Sequence, residues 1–133
     1  MKDATTTVGE LRENVRAFIA EREWEPFHHP KDLAISVTLE AAELLEHFQW
    51  EEKRPLSALR KDAALVSELS DELADILHYL ITFANVMDID IAQALERKMR
   101  KNAEKYPVAL SRGGATKYTH LQRAGPVLAD EEI

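Results

Sequence analysis

The stretch "LEAAELLEHFQW", residues 39–50, reads as a helix that is half apolar. On a wheel of about 100° per residue, Leu33, Val37 and Leu44 fall within about 60° of Glu40. Glu43 lies about 60° to the other side, with Leu39 beyond it. Two acids therefore share a face with leucines that would ordinarily pack a core, and residues three apart are neighbours on a helix surface. Unpaired carboxylates among apolar side chains cost free energy or become neutral. The helix asks for something to stand against those acids.

The stretch "DELADILHYLITF", residues 71–83, repeats the arrangement. Glu72 and Asp75 are three apart, and Leu65, Ile76, Tyr79 and Phe83 lie close to Glu72 on the wheel. One such pair on a helix is ordinarily a solvated face. Two pairs on two apolar faces argue for a shared purpose, because antiparallel packing of the helices would make four carboxylates converge. A hard divalent cation resolves their repulsion, since oxygen-only ligands suit Mg²⁺ or Mn²⁺. Mg²⁺ combines few protein carboxylates with waters and substrate phosphates, so the group reads as a metal–phosphate site. Glu46 lies about 120° from Glu40 and reads as solvated. Glu68 and Asp71 form a rival acid pair, with Asp71 about 100° from Glu72 and further from the Ile76–Phe83 face.

Outward from these helices the chain reads as an all-α, four-helix bundle with an extended tail. "TVGELRENVRAFIAERE" begins with Thr7 and has Glu10 three residues on, a capping-box pattern, followed by an apolar stripe of Leu11, Val15, Phe18 and Ile19. Residues 24–30 form a linker. The second helix is expected from about Asp32 to Phe48, residues 53–57 as a loop, and the third helix from about Ala58 to Val86. Asp90 is placed to cap a fourth helix, with Gln93 at the capping-box position, which stops before Pro107. The helical core is thus expected over about residues 7–106 of a single domain 1–133, with residues 107–133 as the tail. No strand pattern emerges. The third helix is apolar nearly all round, which predicts burial on several sides and hence a homo-oligomer.

Composition narrows the function. The 133 residues suit one domain with a real core, 45% of them apolar and 31% charged. There is no cysteine, which excludes disulfides, thiolate nucleophiles and Cys-ligated zinc. The net charge of −7 argues against nucleic-acid polymers as partners. No apolar run is long enough to span a bilayer, and the polar, Glu-bearing first twenty residues do not form a signal peptide. No membrane contact and a cytoplasmic location are expected.

The two acid pairs, "E40AAE43" and "E72LAD75", stand twenty-eight residues apart. In that form they resemble the E-x-x-E … E-x-x-D signature of the MazG-like all-α nucleoside triphosphate pyrophosphohydrolases. The segments "EREWEPFHHPKDL", "ELLEHFQW", "DELADILHYL" and "KMRKNAEKYPVALSRGGATKYTHL" resemble the dCTP pyrophosphatase-type branch. The likeness runs over roughly residues 10–121. It implies Mg²⁺-dependent hydrolysis, with Mn²⁺ as a substitute, of a nucleoside triphosphate to the monophosphate and pyrophosphate in nucleotide-pool house-cleaning. It also implies a homotetramer. The matching metal positions are Glu40, Glu43, Glu72 and Asp75, with Glu40 or Glu43 as the general base. The matching substrate contacts are Trp24, His28, Trp50, Tyr79, Lys98, Asn102 and Tyr106. Independently of the resemblance, Trp24 and Trp50 suit base stacking as well as they suit core filling. Lys98 and Asn102 share a helix face that Tyr106 continues, which otherwise reads as solvated surface. One position departs: the branch carries a histidine about nine residues before the first Trp, where this chain has Val15. Other deoxynucleotides or modified pyrimidines therefore stay open as substrates. The competing interpretation is a non-catalytic helical module that senses nucleotide or binds a partner protein.

Overall fold

A computed structural model of the chain describes residues 1–115 and 117–121. The chain divides into two compact units between Ile91 and Ala92. The first contains α1 (Val8–Ala20), a short 3₁₀ turn (Glu25–Phe27), α2 (Pro30–Gln49), α3 (Leu56–Leu59) and α4 (Ala63–Val86). From Ile91 the chain enters α5 (Ile91–Lys105), followed by α6 (Val108–Ser111) and α7 (Tyr118–Leu121). Every regular element among the described residues is helical, as the sequence patterning anticipates.

Local chemistry explains the helix starts. Thr7 and Glu10 form the expected capping box: the Glu10 N–H donates to Thr7 Oγ1 at 3.2 Å, and the Thr7 N–H donates to Glu10 Oε2 at 2.6 Å. The two backbone donors are thereby satisfied reciprocally, and these bonds hold the Glu10 carboxyl below its ordinary range. Helix α2 starts two residues earlier than the sequence suggests. Pro30 occupies its first turn, where a missing N–H costs nothing, and His29 caps it by accepting from the Lys31 N–H at 3.2 Å.

Two boundaries are corrected. The expected helix from Ala58 to Val86 is broken into α3 and α4. Asp62 makes the break. Its Oδ1 accepts from the Leu65 N–H at 3.1 Å, and its Oδ2 meets Arg54 Nη1 at 3.2 Å. An Asp side chain that bonds backbone two or three residues ahead favours a cap over a helix interior. The second correction concerns the tail. Its described part is not simply extended, because it contains α6 and α7. Pro107 stands immediately before α6, and Gly113 takes the left-handed conformation, φ 76°, that ends it. Thr116 and residues 122–133 of that expected tail lie outside the described residues.

In the first unit α4 is central, with α1 and α2 packed against it. Arg12 ties α1 to the C-terminal end of α4. Its Nε donates to Asn85 Oδ1 at 2.8 Å and its Nη1 to the Ile89 carbonyl at 2.9 Å, while Asn85 Nδ2 donates back to the Arg12 carbonyl at 3.2 Å. A guanidinium is well placed there, where helix carbonyls lack intrahelical partners. Ile19, Ile81 and Ala84 are buried nearby.

The α2–α4 interface has a regular spacing. Positions 33, 36, 40, 43, 47 and 50 of α2 and its C-cap alternate steps of three and four, as do 65, 68, 72, 75, 79 and 82 of α4. That is the heptad spacing of a two-helix seam. Ser36 shares a cavity wall with Tyr79, Glu40 feels the charge of Asp75, Glu43 clusters with Glu72, His47 meets Glu68, and Trp50 shares a depression with Leu65. As α2 advances, its partners recede along α4, so the helices are antiparallel. The buried Leu33, Leu65 and Thr82 close the seam at its ends. Its middle is polar.

Candidate active site

The polar middle of that seam brings the acids together. Carboxylate oxygens of Glu40, Glu43 and Glu72 all lie within 4.8 Å of one another. Glu40 and Glu72 are half-buried, while Glu43 and Asp75 are exposed. Burial, then the charges of Glu43, Asp75 and Glu72 in that order, push the Glu40 carboxyl above its ordinary range. Asp75 is thus part of the same electrostatic cluster without being in its closest triad. Acids that push the Glu40 carboxyl up favour a proton or a cation between them. The donors are all carboxylate oxygens, which fits a hard divalent ion such as Mg²⁺ or Mn²⁺.

One turn away along the seam is a cavity of about 320 Å³ lined by Trp24, Phe27, His28, Asp32, Leu33, Ser36 and Tyr79. Ser36 and Tyr79 each stand four residues from an acid, Glu40 and Asp75 respectively. The cavity therefore opens about 6 Å along the helix axes from the acid layers. Three aromatic side chains give it the apolar flat surfaces a planar ring would stack on. The Trp24 indole is held edge-on to Phe18 at 6.0 Å, and the Arg22 guanidinium covers Phe18 at 3.6 Å. Behind the cavity wall, the ring of His78 lies edge-on to Phe18 at 5.5 Å and to Tyr79 at 5.7 Å. Burial lowers the His78 pKa, with Asp75 opposing and His28 adding to the shift. His28 also lines a second cavity of about 350 Å³ with Arg16, Ile19, Thr82 and Asn85. Its Nδ1 is buried and has no hydrogen-bond partner among the described residues.

Of the residues singled out from the sequence, the structure brings Glu40, Glu43, Glu72 and Asp75 into one cluster, and Trp24, His28 and Tyr79 around one cavity. It does not bring Trp50 to them. Trp50 caps the far end of α2, is 87% exposed, and borders a depression with His47, Arg54, Asp62 and Leu65. Lys98, Asn102 and Tyr106 are exposed in the second unit. There the Tyr106 ring lies edge-on to Tyr118 at 5.9 Å, and Lys105 Nζ sits 5.0 Å from the same Tyr118 ring. Val15 is partly buried on α1. Sequence reasoning missed Phe27, Ser36 and His47. The alternating three-four spacing carried the signal for Ser36 and His47.

Comparison with known proteins identifies the family. The model of the MazG-like family matches residues 35–121, a span that contains both acid pairs. A curated mouse relative, dCTP pyrophosphatase 1, is 42% identical over 120 residues, spanning 88% of this chain and 69% of its own length. The human dCTP pyrophosphatase 1 is 35% identical over 130 residues, 96% of this chain and 74% of its own. Among solved structures, a pyrophosphatase from Archaeoglobus fulgidus superposes with a TM-score of 0.69 at 37% identity, covering 80% of this chain and 98% of the other. The chain belongs to the MazG-like family.

Proposed function

We propose that the chain is a nucleoside triphosphate pyrophosphohydrolase. It cleaves a deoxynucleoside triphosphate, dCTP or a related pyrimidine nucleotide, to the monophosphate and pyrophosphate. The observation that carries this reading is the adjacency of the acid cluster and the aromatic cavity. Triphosphate and base are two chemically unlike ends of one ligand, and the seam offers two unlike surfaces about one helical turn apart. The names of the relatives supply the base class.

Glu40, Glu43, Glu72 and Asp75 are the residues that would hold Mg²⁺, or Mn²⁺ in its place. Such an ion neutralises polyphosphate charge and lowers the pKa of a bound water. Water attacks the α-phosphorus, the bond from that phosphorus to the bridging oxygen breaks, and pyrophosphate leaves with that oxygen. Glu40 or Glu43 accepts the proton from the water. Trp24, Tyr79 and His28 hold the base within one chain, and Trp50, Lys98, Asn102 and Tyr106 are the further substrate contacts, offered within the homo-oligomer.

The whole chain, residues 1–133, acts as one such domain in a homo-oligomer, a tetramer. Apolar exposure in the single chain supports this: Leu39, Leu45, Leu73, Leu77 and Leu80 are each 46% exposed or more. Patches of that kind mark association surfaces. A cytoplasmic site of action fits the cysteine-free composition, and among the described residues no helix is long and apolar enough to cross a membrane.

A panel of purified protein against the common NTPs and dNTPs tests the activity. The expected result is release of pyrophosphate, not phosphate, in the presence of Mg²⁺ or Mn²⁺, fastest with a pyrimidine deoxynucleotide. Absence of turnover with either metal would leave a nucleotide-sensing module as the better account.

A further inference from the structure

The base cavity is only as definite as its walls, and Trp24, one of them, is 45% exposed. An indole that open keeps one orientation only where its backbone and a neighbouring ring both fix it. The way α1 ends fixes the backbone. The Glu23 N–H donates to the Ala20 carbonyl at 3.0 Å, and the Trp24 N–H to the Ile19 carbonyl at 3.2 Å. These are the paired bonds of a Schellman helix end. Glu23 takes the left-handed conformation there, φ 53°, where glycine is the usual residue. A longer side chain persists in that region where its surroundings over-determine the turn.

An apolar contact commonly spans such an ending. Here it is Phe18 against Trp24, edge-on at 6.0 Å. Phe18 does not line the cavity; it stands behind the Trp24 wall. Its own ring is held on more than one side. The Arg22 guanidinium lies 3.6 Å from its centre, anchored by an Nη1 bond of 2.8 Å to the Phe18 carbonyl. The His78 ring of α4 meets Phe18 edge-on at 5.5 Å and meets Tyr79 at 5.7 Å. Phe18 therefore ties the Trp24 wall to the helix that carries the Tyr79 wall. We infer that Phe18 is a positioning residue for substrate: it fixes the Trp24 indole against the cavity, so that a nucleotide base meets a surface already set. The role rests on the proposed binding of a nucleotide base in this cavity. Setting the wall beforehand lowers the ordering cost of binding, and an edge-on aromatic pair contributes beyond its buried area.

The test uses the full chain and two readouts. The first is the fluorescence anisotropy and acrylamide quenching of Trp24 in a Trp50→Phe background, which leaves Trp24 as the only tryptophan. Phe18→Leu, which keeps an apolar side chain at a position 40% exposed, should lower the anisotropy and raise the quenching. Phe18→Tyr, which keeps the ring, should restore both. Arg22→Ala leaves the ring but bares its face, and should lower the anisotropy by a smaller amount. The second readout is turnover with Trp50 intact. Phe18→Leu should raise KM for the nucleotide about three- to tenfold with kcat little changed, because interactions made equally in ground and transition states appear in KM. A merely structural role would lower the active fraction, and so kcat, at unaltered KM. Unchanged anisotropy and quenching in Phe18→Leu would overturn the proposal and leave the proposed activity standing. Equal changes in Phe18→Leu and Phe18→Tyr would overturn it too, as would a fall in kcat without a rise in KM. If Phe18→Leu does not fold by circular dichroism, unchanged anisotropy in Arg22→Ala overturns it. A parent chain with no turnover on any nucleotide would sink the functional reading itself, and the proposal with it.

Discussion

The seam between α2 and α4 and the outward sides of the same two helices are inverted relative to an ordinary amphipathic pair. The seam holds Glu40, Glu43, His47, Glu68, Glu72 and Asp75. The outward sides hold Ile35, Leu39, Leu45, Leu73 and Leu77, all substantially exposed. In an amphipathic helix pair the apolar residues meet and the charges face water. Here each region is left incomplete by the single chain. Acids face acids in the one, and leucines face water in the other. The contrast separates the two regions: the proposed ion would answer the first and the proposed second copy of the chain the other.

The largest expected effect breaks the inner region. Glu40→Gln or Asp75→Asn should lower turnover about 10³-fold, since metal assistance is worth several kcal/mol and each 1.4 kcal/mol is a factor of ten. Circular dichroism should be unchanged. An active Glu40→Gln protein would remove this cluster from the chemistry.

Breaking the outer region should have a different signature. Leu77→Glu places a charge on an exposed apolar side and should reduce the particle mass seen by light scattering at micromolar concentration. An unchanged mass would move the association surface away from that side of α4.

A third measurement sharpens the contrast by titrating the inner region alone. Saturation with Mg²⁺ at a hundredfold excess over its dissociation constant should add about 2.7 kcal/mol of stability, several degrees in Tm. Identical melting curves with and without chelator would argue against a cation between the acids. In the metal-free protein pH should act in the same sense as metal. The folded-state pKa of Glu40 is raised, so the native state binds more protons than the unfolded chain between the ordinary glutamate value and that raised value. Its contribution to stability therefore grows as pH falls through this window and is lost as pH rises. Glu10 and Asp62 have lowered values and contribute in the opposite sense, their stabilisation being present above their unfolded pKa and lost on acidification. Glu40→Gln should remove only the first of these slopes, and a metal-free melting profile unaltered by that substitution would contradict the assignment.

The smallest effect tests the ordinary part of the fold. Asp62→Ala removes the cap of α4 and should cost about 1 kcal/mol, read as a lower denaturant midpoint. A midpoint unchanged within error would mean that the break between α3 and α4 owes little to Asp62.

Much of this arrangement is legible in the sequence because it is written in spacing within one helix. The capping box at Thr7 and the two acid pairs each depend on residues three or four apart, and local backbone geometry alone decides whether these meet. The break at Asp62 is not legible that way. Leu56, Leu59, Ala63 and Leu65 keep an apolar pattern through it, and only the side-chain bond to Leu65 shows that the helix restarts. The pairing of His47 with Glu68 depends on the register between two helices, which the pattern within either one does not contain. Trp24 and Trp50 stand on either side of α2 in sequence. The helix between them spans about 30 Å, which separates them within one chain.

The alternating seam also works as a key. Its polar layers are bounded by Leu33 on one side and Leu65 on the other, so sliding α2 past α4 by one turn would set Leu65 against His47 in one direction and Glu40 against Tyr79 in the other. Alignment is therefore enforced by the helices themselves, and the connecting segment at residues 51–55 does not have to measure the distance. That segment is where an epitope or a reporter peptide could be spliced into the chain without dismantling the acid cluster.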